Sequence, residues 1–168
     1  DPQNVTVTDA SGTGTILNDD QTRTITSISD PSEQEGDSGT GTLEFVLTLD
    51  LPAKGSEVVR YSTSVPGSGT VATPGVDYDA IAPADDQTVA FVAGATTASV
   101  FVTIQGDTDV EGDETLQLDL DQPVSVNVGQ ASGTGTIEND DAHPTVTIDQ
   151  AAAQDDPTNA SPVLFDVV

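Results

Sequence analysis

The stretch Gln105-Gly106-Asp107-Thr108-Asp109-Val110-Glu111-Gly112-Asp113-Glu114-Thr115-Leu116-Gln117-Leu118-Asp119-Leu120-Asp121 feeds an acidic loop straight into an alternating segment. Leu116, Leu118 and Leu120 recur at every second residue with Gln117, Asp119 and Asp121 between them. That is the period of a strand with one buried face. Just upstream, Asp107, Asp109, Glu111, Asp113 and Glu114 place five carboxylates within eight residues. Carboxylates that converge without a cation repel one another and become harder to ionise. Either these diverge into solvent or a hard cation sits among them, and Glu138-Asn139-Asp140-Asp141 supplies a second acidic run further on.

The loop is not a self-contained calcium hand. With Asp107 first and Asp109 third, the required glycine falls correctly at Gly112, but the twelfth place holds Leu118 where a glutamate is needed. The glycine-rich nonapeptide of calcium-binding β-rolls is also missing. A cation site here has to be assembled from separate loops, as at the end of a sandwich, where loops from different strands cluster.

Working outward, Gly41–Leu49 sets Leu43, Phe45, Leu47 and Leu49 against Thr42, Glu44, Val46 and Thr48. Val58–Thr63, Gln87–Val92 and Ser99–Gln105 read as further strands, the last with Val100, Val102 and Ile104 on one face and Phe101 on the other. Val124, Val126 and Val128 continue the two-residue period, and Gly133–Glu138 closes the set. Turn residues punctuate these segments at Leu51–Gly55, Pro66–Gly69, Pro74-Gly75 and Ala93-Gly94. No window of helical length repeats at the helical period. About seven short strands with such punctuation predict an all-β antiparallel sandwich with an aliphatic core.

An internal repeat sets the boundaries. Residues 10–20, Ala-Ser-Gly-Thr-Gly-Thr-Ile-Leu-Asn-Asp-Asp, match residues 131–141 at all but Leu17 against Glu138, an offset of 121 residues. The match extends to Pro2 with Pro123, to Val5 and Val7 with Val126 and Val128, and to Thr24-Ile25-Thr26 with Thr145-Val146-Thr147. The expected organisation is therefore the closing strands of a preceding copy in 1–20, a complete domain in 21–142 and the opening strands of a following module in 143–168. The absence of Met agrees with an excerpt from a longer chain.

Composition narrows the functions. Three basic residues, Arg23, Lys54 and Arg60, face 29 acidic ones, for a net charge of -26. Such a field repels nucleic acid and anionic lipid headgroups. No apolar run is long enough for a membrane helix, and the lack of cysteine removes disulfides, thiol catalysis and zinc-thiolate sites. A chain this acidic is expected to depend on bound cations or salt for compactness.

Other chemistries find little support. Paired carboxylates could serve a glycosidase, but there is no Trp to stack a sugar. The one histidine, His143, lies beside Pro144 and is read as a solvated turn rather than a triad member. Gly12-Thr-Gly14 and Gly133-Thr-Gly135 lack the third glycine of a dinucleotide fingerprint. Asn4-Val-Thr6 and Asn159-Ala-Ser161 are formal glycosylation sequons. The scattered acids Asp30, Glu57, Asp85, Asp86, Asp155 and Asp156 are read as solvated surface.

Four motifs in order, Glu35-Gly-Asp-Ser-Gly39, Thr73-Pro-Gly-Val-Asp-Tyr78, Asp107-Thr-Asp-Val-Glu-Gly-Asp-Glu114 and Gly135-Thr-Ile-Glu-Asn-Asp-Asp141, resemble the Calx-beta family from about Thr24 to Asp141. The resemblance implies an immunoglobulin-like sandwich of two antiparallel sheets that binds calcium at one end, as in sodium/calcium exchangers and in arrayed bacterial surface proteins. It implies a metal-ligand set of Glu35, Asp77, Asp107, Asp109, Glu111, Glu114, Asn139, Asp140 and Asp141. Within it, Asp109 stands where the exchanger family offers a backbone carbonyl, and Asn139 replaces an acid.

The expected role is a non-enzymatic, calcium-binding repeat module of an extracellular or cell-surface bacterial adhesin or fibre. Its partners would be calcium, neighbouring modules and, through strand addition, other copies. The alternative is a regulatory calcium sensor coupled to another domain.

Overall fold

The computed structural model describes residues 8, 11–16 and 21–146. Among them, nine strands and one 3₁₀ turn account for the regular structure: β1 Arg23–Ile28, β2 Ser32–Gln34, β3 Gly39–Leu49, β4 Val58–Ser64, the turn Pro83–Asp85, β5 Thr88–Ala90, β6 Thr97–Gly106, β7 Glu114–Val124, β8 Val126–Val128 and β9 Ser132–Glu138. They form a four-stranded sheet in the order β6-β3-β1-β8 and a five-stranded sheet in the order β2-β9-β7-β4-β5. The fold is the expected antiparallel sandwich, with β1–β8 and β2–β9 as its parallel pairs.

The alternating segments bury the faces their sequences indicate. Leu43, Phe45, Leu47 and Leu49 of β3 and Val100, Val102 and Ile104 of β6 meet Leu116, Leu118 and Leu120 of β7 in one core. Phe101 points outward, 58% exposed. Because the residue period is two, this facing is fixed once one face is buried.

The structure departs from the sequence reading in three places. The first is the count of strands, nine among the described residues rather than about seven. Around Pro31 the chain crosses from one sheet to the other, leaving β1 in the first and β2 in the second. Both sheets hold the crossing: Ser29 N–H donates to Val46 O at 3.0 Å, Asp30 Oδ1 accepts Thr134 N–H at 2.7 Å, and Pro31 O accepts Thr136 N–H at 2.9 Å.

The second concerns Val124, which ends β7 largely exposed while Val126 is buried. Ser125 between them takes φ 58°, a left-handed residue that interrupts the alternation. The third is Glu57, which is 1% exposed rather than solvated. Its carboxylate accepts backbone N–H bonds from Lys54, Gly55 and Ser56. These bonds, that from Lys54 foremost, hold its pKa below the usual carboxylate value.

Asp30, Asp85 and Asp86 are exposed as expected, and each carboxylate also accepts a hydrogen bond, from Thr134, Ala82 and Arg60 respectively. Asp155, Asp156 and both sequons lie outside the described residues, as do most of 1–20 and 143–168.

The registers define two poles. Gly39 pairs with Gly106 and Glu114 with Ile137, so the ends of β2, β6 and β9 and the starts of β3 and β7 share one pole. Arg23 pairs with Val126 and Val58 with Val124 at the other.

Candidate metal centre

Four loops meet at the first pole. Beyond β2, Glu35 is fastened by its N–H to Glu138 O at 3.1 Å, and Gly36 N–H donates to Asp140 Oδ1 at 3.1 Å. Gly106 makes this loop placement possible. A Cβ there would lie 2.1 Å from Gly36 O and 2.6 Å from Glu35 O, so only glycine lets β6 pass beneath the loop.

Asp77 is placed by its neighbour. Tyr78 is 1% exposed in the core and bridges Ile104, while Gln105 N–H donates to Asp77 O at 2.8 Å and Asp79 N–H to Thr103 O at 2.9 Å. These bonds lay Asp77–Asp79 along the edge of β6. A tight turn shapes the motif: Asp77 N–H donates to Thr73 O at 3.0 Å, and Gly75 takes φ 81°. Within the acidic loop, Asp107 Oδ1 accepts Asp109 N–H at 2.7 Å, a side-chain turn that orders the start of the loop.

Two groups of carboxylates result. Glu35, Asp140 and Asp141 bring one oxygen each within 4.8 Å of one another, and Asp77, Glu111 and Glu114 do the same. Six of the nine residues expected as ligands are thus gathered. Asp107 and Asp109 lie close enough to act electrostatically on members of both groups. Asn139 plays a different part. Its Oδ1 accepts Asp141 N–H at 3.3 Å and its Nδ2 donates to Asp141 O at 3.2 Å, closing the turn that presents the two aspartates.

The electrostatics reflect the crowding. Burial, then the charges of Asp107, Glu111, Asp141 and Asp140, push the Glu35 pKa up to about 7. Burial, then a hydrogen bond with Asp77 and the charges of Asp77, Glu111 and Glu35, push Glu114 up to about 7. Burial and neighbouring acids raise Glu111 as well. Since Glu35 feels Glu111 and Glu114 feels Glu35, the two groups share one field.

Asp141 is raised by burial and then by Asp37, an acid absent from the expected ligand set although it stands in the Glu35-Gly-Asp37 motif. Asp113 is absent from that set too; its Oδ1 accepts Asn139 N–H at 3.3 Å. The three cations of the sequence stand elsewhere, Arg23 near Glu57, Arg60 with Asp86 and Asp121, and Lys54 in the loop after β3.

Glu35 Oε1 and Asp141 Oδ2 are buried without a hydrogen-bond partner. Leaving a buried acceptor unsatisfied is costly. Hard carboxylate oxygens from four loops, crowded and partly unsatisfied, fit a hard cation taking six to eight oxygens. The donor set offers no sulfur or imidazole for a softer metal.

No family model matches the sequence, and no curated protein matches it. Solved structures do match. The crystal structure of the apo-form Calx CBD1 domain is 19% identical, with a TM-score of 0.53, over 72% of this chain and 100% of that one. CBD12 from CALX1.2 gives 19% identity and a TM-score of 0.51 over 67% of this chain and 43% of that one. The calcium binding domain CBD12 of CALX1.1 gives 19% and 0.50 over 68% and 42%. The chain therefore has a Calx-beta-like sandwich fold.

Proposed function

We propose that this chain is a calcium-binding structural repeat module, built to be strung with others into an extended protein at the cell surface. Carrying the reading is the convergence of Glu35, Asp140 and Asp141 beside Asp77, Glu111 and Glu114, with two buried oxygens unsatisfied. Calcium is held by these two groups, with Asp107 and Asp109 adding charge between them. Bound calcium supplies the positive charge that cancels their repulsion. No catalytic step is assigned to the site.

The mechanism is mechanical. Asp140 and Asp141 are the last acids before Ala142-His143-Pro144, so an ion that fixes them also fixes the start of the linker. Pro144 restricts the linker further. The repeated Asn-Asp-Asp at residues 18–20 and 139–141 supports a similar joint before and after the domain.

By mass action, calcium at about 100-fold above its dissociation constant adds about 2.7 kcal/mol to the folded state. A titration of melting temperature against calcium, from chelator to millimolar ion, tests this. A rise that sets in near 10⁻⁴ to 10⁻³ M is expected of an extracellular structural module, about the affinity such modules show. Onset at or below about 10⁻⁵ M would favour a sensor. An unchanged melting temperature, or a full response from Asp77→Ala with Glu114→Ala, would refute calcium binding at this pole.

A further inference from the structure

Residues 11–16 and 132–137 are the same six amino acids, Ser-Gly-Thr-Gly-Thr-Ile, in two different settings. The second set is most of β9, seated between β2 and β7. The first is exposed at every residue and lies outside any strand, with Ile16 98% exposed against 3% for Ile137.

The β9 slot is selective for this sequence. A Cβ on Gly133 would lie 2.6 Å from Ile28 Cγ2, and one on Gly135 would lie 2.8 Å from Phe45 Cζ. Those contacts admit glycine and exclude larger residues unless the core shifts. Gly12 and Gly14 stand at the matching places, and a Cβ on either would meet nothing within 4 Å where they now lie. Every core-facing requirement of the slot is therefore met by Ser11–Ile16.

That segment cannot fill the slot of its own domain. Ile16 is joined to Arg23 by seven residue steps, which span about 25 Å at full extension. The seat of Ile137 is level with Glu114, and Arg23 is level with Val126 beyond the far end of β7. Ten residue steps of β7 separate those levels, about 33 Å of strand.

We propose that Ser11–Ile16 is a second β9, able to take the β9 slot of another copy of this chain by strand exchange. In the exchanged state, Ile16 takes the place of Ile137 opposite Glu114, and Thr15 takes that of Thr136 opposite Thr115. The match in sequence runs on through Asn18-Asp19-Asp20, so an exchanged strand brings the same closing acids. Discrimination rests on Leu17, which cannot reproduce the hydrogen bond that Glu138 accepts from Ser32 Oγ. Strand pairing of this kind is independent of whether the pole binds calcium.

Gly135→Val bars the chain's own β9 from the slot, because the valine is carried on β9 itself, and leaves both the slot walls and Ser11–Ile16 unaltered. Light scattering after chromatography of the full chain should then show this variant at least doubling in mass as concentration rises, with a cooperative melt retained. Adding Gly14→Val should abolish both, whereas Gly14→Val alone should match the parent. A monomeric Gly135→Val variant that still melts cooperatively, or assembly that persists with Gly14→Val, would overturn the proposal.

A second variant covers failure of Gly135→Val to fold. The chain has no cysteine, so with Thr15→Cys and Thr115→Cys a bridge from position 15 of one chain to position 115 of another, identified by peptide mapping, reports pairing of the two segments. Refolding at high concentration should give oligomers joined by that 15-to-115 bridge, and adding Gly14→Val should remove it. Absence of the 15-to-115 bridge, or its survival with Gly14→Val, would sink the idea.

Discussion

Stability of the metal-free domain should fall as pH rises through neutrality, and calcium should abolish that fall. The Glu35 carboxyl titrates near 7 in the folded chain against 4.5 as a free side chain. A raised folded pKa means the folded state binds the proton more tightly than the unfolded state does. The stabilisation is thus complete below pH 4.5 and is lost as pH climbs through about 7. A difference of this size is worth about 3 kcal/mol by pH 8 at about 1.4 kcal/mol per unit. Glu114, also raised to about 7, moves in the same direction. The two share causes, so their joint effect is less than twice that of one.

For a domain of this size about 3 kcal/mol corresponds to a fall of roughly 10 °C in melting temperature. Calorimetry in chelator between pH 5 and pH 8.5 should show it, and millimolar calcium should flatten the curve by competing with the protons. Glu35→Gln should raise the chelator melting temperature at pH 8 and weaken its pH dependence. Binding at pH 7 should release about one proton in total, half from each raised glutamate, readable from titration heats in buffers of different ionisation enthalpy. A metal-free melting temperature that is flat from pH 5 to 8.5, or that climbs, would refute these roles for Glu35 and Glu114.

Two further substitutions test the scaffold. Gly106→Ala drives a Cβ into Gly36 O and Glu35 O, and should cost about 1–3 kcal/mol while weakening the calcium-dependent rise in melting temperature. Leu118→Ala, at a fully buried position, should cost about 2–5 kcal/mol in denaturant melts, whereas Phe101→Ser on the outer face of β6 should stay within about 0.5 kcal/mol.

Strand interiors are legible because burial of one face forces a period of two. Leu116, Leu118 and Leu120 announce β7, and Val100, Val102 and Ile104 announce β6, and both sets are buried. What period alone does not reveal is where that parity breaks. Ser125 adopts a left-handed conformation with no glycine to mark it, so alternation alone puts Val124 on the wrong side. β2 spans three exposed residues, Ser32–Gln34, and carries no apolar signal at all. Glu57 is invisible for a related reason. The donors that satisfy it are backbone N–H groups of Lys54, Gly55 and Ser56, which every sequence possesses and none advertises.

The acidic pole poses the harder case, because its residues are separated by up to about a hundred positions and only topology joins them. The density of acid in Asp107–Glu114 is plain, but β2 has to run parallel to β9 before Glu35 can stand beside Asp140 and Asp141. β7 has to start where β9 ends before Glu114 can share that pole. Each of these placements is fixed not by the charges but by apolar burial beside them, in Ile137, Leu116 and Tyr78. The core therefore buries and forces together carboxylates that oppose one another, and burial first, with that opposition added, raises the pKa values of Glu35 and Glu114. Protons relieve it at low pH and a divalent cation relieves it at high pH, so ion binding and folding at this pole are one coupled equilibrium.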